Sequence, residues 1–127
     1  MDDLRFLLDS DICIYALLGR SEALRQRLRA QAEGTVAISA VTLAEVGVGY
    51  GASIEKAAEL KAFLTQVELL PFDDAAARSY AARPFRRGSF DRLIAAHALA
   101  TGRTLVTNNE ADFSDVPQLK VENWTKA

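Results

Sequence analysis

Short apolar runs alternate along the chain with longer segments in which apolar residues recur every three or four positions. The short runs have the length and composition of buried strands, and the longer segments have the period of amphipathic helices. We predict strands at residues 6–8, 36–38, 67–70 and 104–106, with a fifth, short strand at 119–121. We predict helices at residues 11–18, 21–32, 41–50, 54–66, 73–82 and 89–100.

The order of these elements predicts the fold class. Strands that alternate with helices are typical of βαβ units, in which parallel strands pair and helices cover both faces of the sheet. We therefore expect an α/β fold, a three-layer α/β/α sandwich with a mainly parallel sheet of about five strands. The 127 residues contain no linker long enough to divide them, so we expect a single domain over residues 1–127.

Composition and charge narrow the possible functions. Half of the residues are hydrophobic and a quarter are charged, as in folded globular chains. The formal net charge of -2 provides no general attraction for nucleic acid, so any such binding must be local. Cys13 is the only cysteine, which excludes an intrachain disulfide and a zinc site made of cysteines. The N-terminus does not resemble a signal peptide, and no apolar run reaches the roughly 18 residues of a membrane span, so we expect a cytoplasmic protein without a membrane partner.

Asp9 directly follows the first predicted strand. Open α/β sheets bind ligands beyond the carboxyl ends of their strands, so this position suits chemistry better than packing. An aspartate here could instead cap the next helix, but Ser10 is available as a cap. We therefore expect Asp9 to have a metal-binding or catalytic role.

Further candidate residues lie after later strands or at the start of a helix. Glu45 ends the sequence TLAE, which is also a capping-box pattern, so a site role and a structural role are equally open. Asp91 lies in the first turn of an apolar helix, where the field of the helix N-terminus would hold the carboxylate ionised, as a metal ligand must be. Asn109 and Asp112 follow the fourth strand, where a turn residue and an ordinary surface acid are the alternatives.

Together these positions predict a shared site. In a parallel sheet the carboxyl ends of the strands lie at one edge, so Asp9, Glu45, Asp91 and residues 109–112 would converge there. Converging carboxylates need cations, and oxygen ligands suit Mg²⁺ or Mn²⁺. Such ions activate water and stabilise displacement at phosphorus. The pattern therefore indicates metal-dependent phosphoryl chemistry.

Several stretches of the chain are also characteristic of a known family. They are LLDSDICIYALL (7–18), VAISAVTLAEVGVGYG (36–51), VELLPFDDAAARSYA (67–81), FDRLIAAHALATGRTLVTNNEADF (90–113) and VPQLKVENW (116–124). With these stretches the chain resembles the PIN-domain ribonucleases, specifically the VapC toxins of bacterial toxin–antitoxin pairs. The resemblance covers more than half of the chain, in order, and FDRLIAAHAL together with LVTNN is its most specific part.

The resemblance implies an activity and a set of site residues. It implies a PIN-like fold and an endoribonuclease that cleaves single-stranded RNA or RNA loops with water activated by Mg²⁺, or alternatively by Mn²⁺. Asp9, Glu45 and Asp91 match the acids that bind metal or form the active site in the family. Asn109 stands where many members have a fourth acid, and Asp112 could supply that charge from the neighbouring turn. We therefore expect all five residues to be catalytic, with Asp9, Glu45 and Asp91 as metal ligands.

The resemblance also implies macromolecular partners. Relatives are inhibited by a cognate antitoxin whose C-terminal segment places a basic side chain in the acidic cleft, and we expect a homodimer or a larger toxin–antitoxin assembly here. An RNA substrate needs positive charge, because phosphate contacts dominate affinity. The arginines near the start of the Asp91 helix are candidates for this contact, with a solvated loop as the structural alternative: Arg83, Arg86, Arg87 and Arg92.

Two other functions remain open. In a phosphatase-like or receiver-like domain, Asp9 and Asp11 would form an acidic pair for phosphoryl transfer. That class needs a lysine near a later strand end, and residues 107–112 contain none. The other possibility is a catalytically inactive PIN-like module that only binds a partner.

His97 is the only histidine and lies in an apolar helix, six residues after Asp91. Six residues correspond to about 600° of helical rotation, so the two side chains do not share a face. We therefore expect His97 to pack in the core or to make a local hydrogen bond.

Overall fold

The computed structural model describes residues 5–83 and 89–126. The strands in this part of the chain are β1 (Phe6–Leu8), β2 (Val36–Ser39), β3 (Glu68–Leu70), β4 (Thr104–Val106) and β5 (Val121–Glu122). The α-helices are α1 (Ser10–Leu18), α2 (Glu22–Ala30), α3 (Ala40–Gly47), α4 (Ala58–Leu64), α5 (Asp74–Ala81) and α6 (Phe90–Thr101). Two 3₁₀ helices cover Gly51–Lys56 and Glu110–Phe113.

Two of the predicted helices differ from the structure by more than a residue or two. The helix predicted over residues 41–50 ends at Gly47, before a glycine-rich stretch with low helix propensity. The helix predicted over residues 54–66 is divided into the first 3₁₀ helix and α4, because Ala57 between them has an extended backbone (φ -74°, ψ 100°). The fifth strand begins at Val121, two residues later than the sequence indicated.

The strands form one sheet in the order β3-β2-β1-β4-β5, and every pair of neighbours is parallel. β1 is central. The chain moves outwards from β1 through β2 to β3 and then returns to place β4 on the other side of β1. The gap between β1 and β4 is therefore the point where the strand order reverses, which is where open α/β sheets bind ligands at their carboxyl edge.

Alternate residues of the central strands point to opposite faces of the sheet, as the period of a strand requires. Leu8 packs in one hydrophobic cluster with Ile12 of α1, Leu24 of α2 and Leu60 of α4. Leu7 packs in a second cluster with residues of α6, namely Ile94, Ala95 and Ala98. Helices therefore cover both faces, and the predicted α/β/α sandwich with a parallel five-stranded sheet is confirmed.

Helix α3 lies where the two helical layers meet, since it packs against both α1 and α6. It begins directly after β2, so its position relative to the sheet edge is set by the end of that strand. No helix in the described residues is long and apolar enough to cross a membrane.

Candidate active site

Asp9 occupies the residue between β1 and α1 and is 2% exposed. Its backbone N–H donates to the carbonyl of Val106 at 3.0 Å, which extends the β1–β4 pairing by one step. Its extended backbone directs the side chain over the first turn of α1, where Oδ1 accepts a hydrogen bond of 2.9 Å from the N–H of Ile12. Asp9 therefore caps α1 itself. Our expectation that Ser10 would be the cap is wrong, because Ser10 is already the first residue of the helix, and its Oγ is buried with no hydrogen-bond partner.

Burial raises the pKa of Asp9 from 3.8 to about 7. Hydrogen bonds from the Thr107 hydroxyl and the Ile12 amide oppose this rise, whereas the charges of Asp11 and Asp91 add to it. The ionised form of Asp9 is thus poorly stabilised by the protein alone. A cation beside the carboxylate would reverse that balance.

Glu45 lies in the last turn of α3, not at its start. The cap of α3 is Ser39, whose Oγ accepts a hydrogen bond of 3.1 Å from the N–H of Val41. Thr42 is therefore inside the helix, and the capping-box interpretation of TLAE is wrong. Oε1 of Glu45 is buried and has no hydrogen-bond partner. A buried oxygen without a partner costs free energy. Because Ser39 is the cap of α3, helix capping does not explain why an acid with this cost stands at position 45.

Asp91 lies in the first turn of α6 and is half-buried. Burial raises its pKa, and the charges of Glu45, Asp11 and Asp112 raise it further, while Arg92 lowers it. That the helix N-terminus holds Asp91 ionised stays a prediction. Since Asp91 also raises the pKa of Asp9, the structure brings the predicted acids within electrostatic range of one another.

The end of β4 adds a chain of hydrogen bonds to this region. Thr107 is fully buried; its Oγ1 accepts from the N–H of Asn109 at 3.1 Å and its hydroxyl bonds to the carboxylate of Asp9. The Asn109 side-chain amide donates to Oδ2 of Asp112 at 2.8 Å. Asn109 and Asp112 thus form one unit, in which Asp112 is the member that carries charge.

The predicted RNA-contacting arginines are only partly covered by the structure. Arg86 and Arg87 lie outside the described residues. Arg83 follows the end of α5 and is half-buried. Arg92 has a side chain that is 14% exposed, pairs with Asp115 at 2.9 Å and lies over the ring of Phe113. RNA contact by Arg83, Arg86 and Arg87 stays a prediction, whereas the ion pair with Asp115 favours a structural role for Arg92.

The acids do not form a closed metal shell in this arrangement. Among residues 5–83 and 89–126, no three His, Cys, Asp or Glu side chains are placed so that they could hold a metal ion together. The donor set nevertheless fits a hard cation, because it consists of carboxylate oxygens and one of them, Oε1 of Glu45, is buried without a partner. Asp9, Glu45 and Asp91 are the residues that could supply the ligands.

Two contributors to this region were not predicted. Thr107 lies beside Asp9 because Leu8 and Val106 are paired in register and both strands end there. The relevant sequence signal was a polar residue directly after a buried strand, but it becomes informative only when β1 and β4 are known to be neighbours. The second contributor is Ser39, which bonds to His97 and is considered below. That bond agrees with the expectation of a structural role for His97.

Comparisons with known proteins are consistent across sequence and structure. A family model described as the PIN domain matches residues 6–119. The tRNA(fMet)-specific endonuclease VapC of Shigella flexneri is 35% identical, over 96% of this chain and 99% of its own length. Ribonuclease VapC2 of Rickettsia felis is 34% identical, over 95% of this chain and 98% of its own length.

Solved structures give the same result. VapBC2 from Rickettsia felis, bound to a DNA fragment from its promoter, superposes with a TM-score of 0.82 at 31% identity, covering 95% of this chain and 99% of that chain. DNA-bound VapBC from Salmonella typhimurium also has a TM-score of 0.82, at 30% identity, covering 95% of this chain and 98% of that chain. Sequence and fold agree, and the chain belongs to the PIN domain family and, within it, to the VapC ribonucleases.

Proposed function

We propose that this chain is the toxin of a toxin–antitoxin pair and that it cleaves RNA endonucleolytically at a divalent-metal centre formed by Asp9, Glu45 and Asp91. The observation that carries this proposal is the unpartnered, buried Oε1 of Glu45, together with the electrostatic proximity of Glu45 and Asp9 to Asp91. A purely structural cluster would leave these groups without a compensating partner.

Each acid would have a distinct role at this metal centre, set by its position in the fold. Asp9, with one oxygen committed to the α1 cap, offers its other oxygen to a metal, and Thr107 fixes its orientation. Glu45 and Asp91 approach from α3 and α6, and Asp112, held by Asn109, supplies the fourth negative charge. When bound, Mg²⁺ or Mn²⁺ would activate water for attack at phosphorus and offset charge on the phosphate oxygens.

The substrate class follows from the relatives. Two of them are named tRNA(fMet)-specific endonucleases and others are named ribonucleases, so we propose an RNA loop, with the loops of tRNA as the first candidates. The family match favours this activity over the receiver-like alternative, for which no lysine follows β4 in residues 107–112.

An apolar groove supports the antitoxin partner. It has a volume of about 270 Å³, lies between α1 and α3, and is lined by Ile14, Leu17, Leu18, Glu45, Val46, Gly49 and Tyr50. Ile14 and Leu18 in this lining are 38% and 58% exposed, so the groove presents adjacent apolar side chains to a partner. Since Glu45 lines the groove, an antitoxin segment with apolar residues could fill it and place a basic side chain at the acids. Homodimer formation stays a prediction.

The decisive experiment compares RNA cleavage by three chains across an Mg²⁺ and Mn²⁺ titration. Asp9→Asn retains an oxygen that can cap α1 but loses the charge, so we expect a loss of about 100-fold or more in cleavage of tRNA. Asp73→Asn is the matched control, because Asp73 caps α5 in the same way, with a 3.0 Å bond from Ala76 N–H, and we expect it to cleave normally.

Two outcomes would contradict the proposal. If Asp9→Asn cleaves as fast as the unaltered chain, the metal centre is not where we place it. If the unaltered chain cleaves neither tRNA nor total RNA with either ion, the inactive binding module becomes the better description.

A further inference from the structure

A buried hydrogen bond joins the two helices that carry Glu45 and Asp91. Ser39, the cap of α3, and His97, in α6, approach at 2.8 Å between Oγ and Nδ1. Ser39 is fully buried and His97 is 2% exposed. The ring of His97 also meets the ring of Phe72 edge-on, with centroids 5.3 Å apart. The bond is therefore shielded from water and held in one geometry.

The position of this bond along the two helices is symmetrical with respect to the acids. Ser39 precedes Glu45 by six residues, and His97 follows Asp91 by six. Six residues span about 9 Å along an α-helix, so the bond lies about the same distance from each acid. Because α3 packs against α6, with the acids near one end and the bond near the other, the two helices run antiparallel.

The two ends of this helix pair differ in their electrostatics. At the acid end, Glu45 and Asp91 carry like charges that repel one another. At the other end, neutral groups make a hydrogen bond. Burial lowers the pKa of His97, which keeps its ring neutral near pH 7. Ser39 can then use its hydroxyl proton for Nδ1 and a lone pair for the N–H of Val41, so both of its roles are compatible.

We propose that the Ser39–His97 hydrogen bond is a positioning link, which fixes the offset between α3 and α6 and thereby keeps Glu45 and Asp91 close enough to share a divalent cation. This inference rests on the proposed function, since it assumes that these two acids act on one ion. Neither Ser39 nor His97 touches the reacting atoms. Loss of the link would let the repelling ends of the helices separate, and cation binding would then be weaker by the free energy needed to bring the two acids together.

The test measures Mg²⁺ binding as well as cleavage. His97→Leu keeps apolar packing but removes the hydrogen bond, whereas His97→Asn places an amide near the position of Nδ1 and can restore it. Ser79→Ala is the matched control: the Ser79 hydroxyl also ties a neighbouring helix to α6, by donating to the carbonyl of Ala96 at 2.9 Å, but that helix is α5 and carries no acid of the site.

For each chain, isothermal titration calorimetry gives the free Mg²⁺ concentration at half saturation, called here the Mg²⁺ midpoint, and Tm, kcat and KM for tRNA are measured alongside it. We expect His97→Leu to raise this Mg²⁺ midpoint by about 10-fold, with lower kcat at low Mg²⁺, recovery at high Mg²⁺ and unchanged KM. His97→Asn should return the midpoint close to that of the unaltered chain. Ser79→Ala should lower Tm without moving the midpoint.

The inference is overturned if His97→Leu and Ser79→Ala lower Tm and leave the Mg²⁺ midpoint unchanged, because the bond would then serve packing alone. Should His97→Leu fail to fold, His97→Gln replaces it, since a glutamine amide reaches towards Nε2 and not Nδ1; equal midpoints for His97→Gln and His97→Asn would also overturn it. Failure of the proposed function is a separate outcome: the unaltered chain would then not bind Mg²⁺ at all. That result would also overturn the positioning role, because there would be no shared cation.

Discussion

The side-chain amide of Asn109 donates a 2.8 Å hydrogen bond to Oδ2 of Asp112, and both residues belong to the turn that follows β4. The charge of Asp112 reaches Asp91, so this turn contributes a carboxylate to the acid cluster although its first polar residues are asparagines. Asn109 is therefore better described as the residue that orients Asp112 than as a substitute for it.

This arrangement predicts unequal effects of two substitutions. Asp112→Asn removes the charge and should lower kcat/KM for RNA by about 10- to 100-fold, whereas Asn109→Ala only frees the carboxylate and should cost less, about 10-fold. The double variant should be no slower than Asp112→Asn, because the two residues act as one unit. Steady-state cleavage of tRNA by the four chains measures this. A larger loss for Asn109→Ala than for Asp112→Asn would show that Asn109 contacts the metal or the RNA directly.

The raised pKa of Asp9 predicts a pH dependence of stability in the absence of metal. A carboxyl whose pKa rises from 3.8 in the unfolded chain to about 7 in the folded one binds more protons in the folded state, so its contribution to stability is complete below about pH 4 and is lost as the pH rises to about 7. Asp9→Asn has no charge to bury. In EDTA at pH 8 we expect it to increase the free energy of unfolding by about 2–4 kcal/mol relative to the unaltered chain, measured by urea denaturation.

The same measurement at pH 4 provides an internal reference, because residue 9 is then neutral in both folded chains and the difference should be small. If the free energy of unfolding changes with pH in the same way for the unaltered chain and for Asp9→Asn, burial of the ionised Asp9 carboxylate does not destabilise the fold.

Thr107 predicts a separate effect on the same carboxylate. Thr107→Val keeps the shape of the side chain but removes the hydroxyl that bonds to Asp9 and that accepts from the N–H of Asn109. We expect a loss of about 1–3 kcal/mol in stability and a weaker response of Tm to Mg²⁺. Thr107→Ser, which retains the hydroxyl, should restore both. If Thr107→Val loses stability and binds Mg²⁺ normally, the hydroxyl supports the fold without orienting Asp9.

Arg92 permits a test of RNA contact through salt dependence. Its guanidinium already pairs with Asp115 and lies over Phe113, so we expect Arg92→Gln to lower Tm and to leave unchanged the slope of log affinity for RNA against log salt. A residue that neutralises a phosphate would change that slope by about 0.7 for a single strand. Filter binding of a catalytically inactive Asp9→Asn chain, with and without Arg92→Gln, measures the slope. A change of this size would confirm RNA contact by Arg92.

Much of this protein follows from local patterns in its sequence. The apolar pair Leu7 and Leu8 points to both faces of the sheet, and the helical spacing of apolar residues marks the helices that cover those faces. Both patterns involve residues only a few positions apart, so the sequence alone predicts the α/β/α layers. Asp9 and Asp91 were located in the same way, by polar residues placed where an apolar element ends or begins. Family resemblance then favoured a site role for Glu45, for which spacing left two roles open.

Tertiary structure decided what depends on residues far apart in the chain. The pairing of β1 with β4 places Thr107 beside Asp9, the packing of α3 on α6 brings Ser39 to His97, 58 residues away, and the turn after β4 gives Arg92 its partner Asp115. The exact start of a helix determines which residue caps it. Because α1 begins at Ser10, one residue earlier than predicted, its cap is Asp9 and not Ser10. Sequence periodicity reports which face of an element is buried, but only the folded chain determines which faces meet, because those contacts depend on strand order and helix packing together.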